Sequence, residues 1–394
     1  MHRIVILGAG YAGTFSAGFL ARQLHAEDFE ITVVNAEPDF VERLRLHQLA
    51  AGQDLRRVPL AKIFAGTGIR LREARVTAVD VEDRTVTITD GSATDRLGYD
   101  TLLYSLGSTV AAHDIPGVAE HTYHVAARPA ALRLRAKLNA LNGNGKIVVV
   151  GGNLTAIEAA TEIAEAHPGL RVDLITSGEV GGWLGAKARG HLLAAFERFG
   201  ITIHEGATVE HVEGTGVFVA DGTFHPADAT VWAAGFAVHP IAAASGLAVE
   251  PSGQITVDRE MRSISHPDVY VAGDSVFTLA ESGLPLPMSC ASAGFTAMQA
   301  TAAIIGDLTG REVGRTSLGY FGNHISLGRR DAIFQAVDGA ARAKSWVLRG
   351  RPAARFKSTI LDLSVWSLSH PTFGKPRRHY RAAVGVRAHD VIAG

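Results

Sequence analysis

The chain is poor in cysteine, in net charge and in long apolar runs. Only Cys290 of its 394 residues is a cysteine. That excludes an intramolecular disulfide, a redox dithiol within the chain and a cysteine-rich structural zinc site, and no metal is expected. Thirty-eight Lys and Arg stand against 39 acids, a formal net charge of -1, so no global field attracts nucleic acid. No stretch approaches the ~20 apolar residues of a membrane span. The opening "MHRIVILGAG" is apolar, but it runs into a glycine turn without cleavage-site character. It reads as a strand, and the expected location is cytoplasmic.

Glycine, in contrast, is plentiful: 43 residues in a chain that is 47% hydrophobic. Such a composition suits α/β layers joined by glycine turns, and the length suits two or three domains. Two segments share one pattern. In the first, strand "IVILG" leads through a turn to helix "TFSAGFLARQLH" and strand "ITVVN". In the second, strand "IVVVG" leads to "TAIEAATEIAEAH" and "VDLIT". Each is the size of a right-handed parallel crossover, so the fold class is α/β with two Rossmann-like dinucleotide domains. Hairpin signals follow both units, "ARVTAVDVEDRTVTITD" and "ATVEHVEGTGVFVADG", and a third, "YFGNHISLGRRDAIFQAVD", opens a small α+β tail. A small-residue helix is expected from about Pro287 to Ile305.

"GAGYAG", Gly8 to Gly13, is a complete G-x-G-x-x-G between a strand and a helix. Its glycines permit a tight turn, backbone approach to a pyrophosphate and close helix packing, with helix N–H groups facing the phosphates. Gly8, Gly10, Tyr11, Ala12 and Gly13 are therefore candidate contacts. The ribose acid expected ~20 residues on is absent; Asn35 stands there, and Glu37 is two residues away. In "VYVAGDSV", Asp274 follows a buried strand, where it either binds a cofactor or caps the next segment. The second turn reads "GGNLTA". Gly151 keeps its place, Asn153 replaces the second glycine and Ala156 the third. Asn tolerates positive φ, and G-x-x-A is an accepted ending, so a dinucleotide site is expected to survive. Thr176 and Ser177 replace the acid that would select NADH. Nothing there repels a 2′-phosphate, and Lys187 and Arg189 are the nearest cations.

The series G-x-G-x-x-G, "YDTLLYSLGS", "VVVGGNLTAIE", "TVWAAGFAVHP" and "VYVAGDSV" resembles the flavoproteins with two dinucleotide folds, and within them the type II NADH dehydrogenases. The resemblance covers roughly residues 1 to 340. It implies an FAD domain in two parts, 1–112 and 241–310, an NAD(P)H domain at 113–240 and a C-terminal domain at 311–394. It implies FAD contacts at Gly8, Gly10, Gly13, Gly107, Gly273 and Asp274. Arg43 and His47 in "VERLRLHQLAAG" match the loop beside the flavin, and Val76 joins the cofactor-binding set. It places Glu158 near nicotinamide and flavin as the catalytic candidate; a dipole-favoured acid near a helix N-terminus is the plainer reading. Disulfide reductases of this group carry a cysteine pair, and sulfide-oxidising relatives several cysteines; one cysteine excludes both relays. The glutamine motif of the quinone pocket is missing from "LPMSCASAGFTAMQ", where Gln299 lies too far along and Cys290 reads as a packed small residue.

The expected activity is an FAD-dependent NAD(P)H oxidoreductase passing hydride to flavin and on to a quinone-like or other aromatic acceptor. The alternatives are a flavoenzyme acting directly on a small organic metabolite with a vestigial nicotinamide half, and a non-enzymatic flavin sensor. From Arg342 to Arg381 the tail has ten basic residues, Lys357 and Lys375 among them, and one acid, Asp362. Phe356, Ile360, Leu363 and Trp366 recur there at helical spacing. Either this stripe meets an anionic membrane surface peripherally, or it packs on the flavin domain with the cations facing water or a second subunit of a homodimer.

Overall fold

The computed structural model describes residues 1–317, 322–338 and 342–385. Tyr320 and Phe321 of the third hairpin signal, and residues 386–394 of the tail, lie outside the described residues.

Two parallel five-stranded sheets form the frame. The first has the order Val269–Val271, Thr101–Tyr104, His2–Leu7, Phe29–Asn35, Arg70–Glu73. The second has the order Thr202–His204, Leu170–Ile175, Gly145–Val150, Ala229–Trp232, Thr122–Tyr123. The register pairs Ile4 with Ile31 in one and Ile147 with Val172 in the other. Central strands covered on both faces read as continuous apolar runs, and "IVIL" and "IVVV" are buried throughout. The last strand of the first sheet, Val269–Val271, follows the whole second sheet in sequence. The crossovers are the helices Tyr11–Gln23 and Leu154–Ala166. Each sheet carries a three-stranded meander, Arg75–Asp80 with Thr85–Thr89 and Thr94–Gly98, and Val209–Glu213 with Gly216–Val219 and Phe224–Pro226.

The helix Cys290–Thr309 lies against Tyr11–Gln23 through small residues, with the Thr301 hydroxyl donating to Ser16 Oγ at 3.1 Å. The tail forms an antiparallel sheet, Gly322–Ser326, Ala332–Val337 and Ala343–Arg349, and then the helix Gly350–Ser369. Beyond it the chain crosses back over the first crossover helix. Arg22 and Gln23 donate to the carbonyls of Lys375 and Pro376 there. Among the described residues no helix is long and apolar enough to cross a membrane.

Candidate active site

Both glycine turns leave the carboxyl end of a central strand. Gly8 and Gly151 have φ of +93° and +134°, and a Cβ on either would meet a carbonyl of the neighbouring strand's end, Ser105 O at 2.4 Å or Ala233 O at 2.5 Å. Gly13 faces Gly8 O at 1.9 Å from its would-be Cβ, so no side chain fits. Gly10 differs: its φ is -76° and a Cβ there would meet nothing within 4 Å. That open side is the space a pyrophosphate needs. Asn153 occupies the matching position with φ -88°. The expected tolerance of positive φ is therefore not what keeps this turn; an extended backbone suits any residue, and Gly151 alone supplies the left-handed step.

Asn35 does not wait free for a ribose. Its side-chain oxygen accepts from Ala9 N at 2.8 Å and its amide donates to Glu37 O at 2.7 Å. It braces the first turn and leaves the Glu37 carboxylate as the candidate ribose contact. Val76 packs its side chain in the first core and is paired with Ile88 in its meander. Ala12 is buried beside Gly273, with its Cβ 3.5 Å from that glycine's open side.

A cavity of about 730 Å³ runs from the first turn to the C-terminal helix. Tyr11, Arg43, His47, Asn153, Glu158, Asp274, Cys290, His324 and Lys357 all line it, so most of the flavin-side and catalytic candidates converge. Asp274 accepts from the Ser108 hydroxyl at 2.6 Å and lies 3.7 Å from the Arg43 guanidinium. Arg43 also donates to Ser108 O at 2.7 Å and stacks 5.1 Å over Phe236. Asp274 caps no long helix; Ser289 is the cap of Cys290–Thr309. Gly107 has φ +70°, and a Cβ on it would lie 3.8 Å from the Arg43 guanidinium. The open face at Gly10, the glycine bends at Gly107 and Gly273 and the cavity beside Asp274 fit a bound FAD.

Glu158 lies on the buried face of its helix, 5% exposed, and forms an ion pair with Lys357, 7% exposed. Ser326 N donates to the same carboxylate at 2.8 Å, and His47 Nδ1 lies 3.7 Å from its other oxygen. Burial alone would raise the Glu158 carboxyl, but Lys357, His47 and the Ser326 N–H outweigh it and hold it below the usual range. Burial pushes His47 down despite Glu158, and brings His324 to about 4, so both imidazoles are neutral near pH 7. Sequence reasoning placed Lys357 in a solvated or membrane-facing basic run. That is corrected: it points inward, and Lys375 also turns in, 4.6 Å over Phe15.

A second cavity, about 510 Å³, follows the strand ends of the second sheet past Gly151, Gly152, Asn153, Thr176 and Glu179. Thr176 faces Gly152 and accepts weakly from Gly178 N at 3.3 Å. Ala156 is fully buried behind the turn. The strand end carries Thr176 and Ser177 in place of an acid, as expected, and an acid stands further along the loop. Glu179 lines the crevice, and Arg189 is held by Glu179 at 3.5 Å and Glu205 at 3.3 Å. Elsewhere in this half, Asp173, His204 and His225 bring possible ligand atoms within 4.8 Å of one another. Lys146 already pairs with Asp173 at 2.7 Å, so that carboxylate has its cation.

Burial pushes the Cys290 thiol up to about 12, in keeping with a packed rather than nucleophilic residue. Gln299 is buried away from the cavity, bonded to Gly314 O and Thr316 N. On the C-terminal helix, Ala353, Lys357, Leu361 and Leu368 face inward, while Phe356, Leu363 and Trp366 are 41%, 59% and 46% exposed. The stripe is thus divided: Ile360 lines the flavin-side cavity and Phe356 packs against His324 and Phe334 of the tail sheet, while Leu363 and Trp366 face outward.

Residues 2–304 match the model of the pyridine nucleotide-disulphide oxidoreductase family. A NADH dehydrogenase-like protein of Mycobacterium tuberculosis is 28% identical over 381 residues, covering 91% of this chain and 93% of that protein. The type II NADH:quinone oxidoreductase of Staphylococcus saprophyticus is 23% identical over 397 residues, covering 93% and 96%. The demethylphylloquinone reductase of Synechocystis is 24% identical over 353 residues, covering 85% and 87%. Among solved structures, NDH2 of Plasmodium falciparum in complex with NADH superposes with a TM-score of 0.80 at 14% identity, covering 94% of this chain and 96% of that one. The chain belongs to the pyridine nucleotide-disulphide oxidoreductase family and is an FAD-dependent NAD(P)H oxidoreductase built on two dinucleotide-binding domains.

Proposed function

We propose that the chain passes reducing equivalents from NADH or NADPH to a quinone-like aromatic acceptor. The observation that carries this reading is the buried Glu158–Lys357 pair in the wall of the flavin-side cavity. Bound FAD would supply the two-electron chemistry between donor and acceptor. The glycine turn at Gly8–Gly13, Glu37, Val76, Gly107, Gly273 and Asp274 would hold it, with Arg43 fixed by Ser108. The crevice at Gly151, Asn153, Ala156 and Thr176 would hold the donor. The domain bounds of the sequence reading, 1–112 with 241–310, 113–240 and 311–394, go with this assignment.

Reducing a quinone to a quinol takes two electrons and two protons. Lys357 Nζ, paired with Glu158 in the cavity wall, is the proton donor this reading assigns to the acceptor. The His324 carbonyl accepts from the same ammonium at 3.2 Å and fixes its direction. His47, neutral and in contact with Glu158, can hold the next proton of the relay. The rest of the lining is largely apolar, with Met288, Ile360 and Leu361, and suits an aromatic ring. The relatives named for NADH:quinone and demethylphylloquinone reduction agree with a quinone acceptor.

Anaerobic titration of the yellow protein with NADH and with NADPH tests the donor half. Bleaching of the flavin band, and its return on adding a short-chain quinone, is expected. No bleaching by either donor would overturn the proposal.

The exposed Leu363, Trp366 and Phe373, on a tail that also carries the exposed Arg351 and Arg355, suit a peripheral and salt-sensitive contact with an anionic lipid surface. Sedimentation with anionic and neutral liposomes across a salt series tests this. Binding that ignores lipid charge would sink it.

A further inference from the structure

The flavin-side cavity and the nucleotide crevice share two lining side chains, Asn153 and Trp183. These two side chains stand where the crevice meets the cavity into which a donor would bring its nicotinamide. Trp183 stands there with its indole Nε1 buried and without a hydrogen-bond partner. A buried indole N–H normally finds an acceptor, and leaving it unmet costs about 1–3 kcal/mol.

The other tryptophans are placed differently. Trp232 also lines the crevice, but its N–H is already given to Ala111 O at 2.7 Å. Trp346 and Trp366 are exposed on the tail.

The loop that carries Trp183 is fixed rather than loose. Val180 N donates to Glu205 at 2.7 Å, and Arg189 Nε donates to Val180 O at 3.1 Å. Leu184 N donates to Gly181 O at 2.9 Å. Gly185 N donates at 3.2 Å to Gln335, whose own amide is spent on the carbonyls of the tail sheet. The second sheet and the tail thus clamp the loop from both ends and hold the indole at the seam before any ligand arrives.

We propose that Trp183 is a positioning residue for the donor: its N–H bonds an oxygen of the nicotinamide half, on the carboxamide or the adjoining ribose, and its ring borders the nicotinamide. This rests on the reading of the crevice as the NAD(P)H site. Every oxygen on that half of the donor is an acceptor, so a small turn of the indole that uncovers Nε1 to the seam suffices for the pairing while the clamped backbone of the loop stays in place.

The test uses the FAD-loaded full chain, uniformly 15N-labelled, and NAD+ as probe. Trp183→Phe keeps a ring and removes the donor, and also identifies the Trp183 indole signal by its absence. In the wild type that signal moves downfield as NAD+ is added. In W183F the dissociation constant for NAD+ rises about fivefold, within the range of one lost hydrogen bond, while flavin content and the circular-dichroism spectrum show that the protein is folded and loaded. Should W183F fold poorly, Trp183→Leu, which also lacks a donor, and the wild-type indole shift carry the same test. A Trp183 signal that stays still at saturating NAD+, or unchanged NAD+ affinity in the variants, overturns the proposal. A wild type that binds NAD+ nowhere overturns instead the donor reading beneath it.

Discussion

At Gly8 and at Gly151 the chain turns in the same way. The glycine N–H takes the carbonyl that ends the next strand, Val34 O or Ile175 O, each at 2.8 Å. The next helix then starts from an extended cap, Gly10 or Asn153. The turns part company in what stands beside them. In the first turn Asn35 braces Ala9 N and Gly10 leaves its side open. In the second, Asn153 fills the matching side, Thr176 crowds Gly152, and an acid, Glu179, waits at the rim. On the proposed reading the first turn would be cleared for a cofactor that stays, and the second furnished with side chains for a donor that is told apart, oriented and released.

The sharpest way to break this contrast is to furnish the first turn as well. Gly10→Val adds a side chain where the protein itself offers no clash, so the fold should persist and the ligand should not. We expect a folded, colourless protein with FAD affinity down at least about a hundredfold, or ~2.7 kcal/mol. Flavin absorbance after reconstitution, with circular dichroism as the control for folding, checks it. A yellow G10V protein would show that the turn does not face the cofactor.

The seam between the two halves should be nearly as sensitive. Glu158→Gln removes the charge that Lys357 needs, and Lys357→Met strands a buried carboxylate. Breaking such a pair from one side costs about 3–5 kcal/mol of stability. Replacing both partners together should recover most of the melting temperature, because neither charge is then left unpaired. Activity should not return with it. Loss of a positioned proton donor lowers turnover on the order of a hundredfold, and stopped-flow should place that loss in quinone reduction rather than in donor binding. A double variant as active as the wild type would reduce the pair to a structural ion bridge.

Much of this contrast was legible in the sequence, and the reason is locality. A strand, a glycine turn and a helix lie within about thirty residues, and their apolar periods and glycines are written side by side. The positions of Gly8, Gly151, Asn153, Asp274 and Glu158 all follow from such patterns. Lys357 did not, because its partner is 199 residues earlier and nothing in "RFKSTILDL" distinguishes an inward lysine from its solvated neighbours. The period of that helix puts Phe356, Ile360, Leu363 and Trp366 on one stripe, yet the side facing the core is set by the tail sheet against which the helix packs. Glu179 was passed over because it stands three residues beyond the expected place, in a loop whose course depends on Glu205 and Gln335. Trp183, on the same loop, left no local signal at all.

Glu179 allows the second turn to be sharpened as a selector. Its carboxylate at the crevice rim, with Arg189 already shared between two acids, disfavours a 2′-phosphate. NADH should reduce the flavin about tenfold more efficiently than NADPH, ~1.4 kcal/mol in transition-state terms. Glu179→Gln should narrow that ratio mainly by improving NADPH, as read by the two rates of anaerobic flavin reduction. Equal use of both donors by the wild type would show that Glu179 lies off the ribose.

The smallest effect expected is also the most direct test of why the turns differ. Asn153→Gly makes the second turn a copy of the first at its central position. The backbone can take the change, since the cap is extended and its side chain bonds no helix N–H. Two influences then oppose each other. Removing the side chain opens pyrophosphate approach, which favours binding. It also removes a polar group from the seam it shares with Trp183 and frees an entropically costly glycine at a helix start, which disfavours it by under about 1 kcal/mol. If the asparagine is mainly an obstruction, NAD+ should bind about fivefold tighter and flavin reduction at saturating donor should be unchanged. If it orients the donor, affinity should fall and reduction should slow at saturation. We expect the second outcome, because Asn153 reaches both cavities, whereas an obstruction would touch the crevice alone. Tighter binding with full turnover in N153G would decide for obstruction, and the second turn would then be a worn copy of the first rather than a refined one.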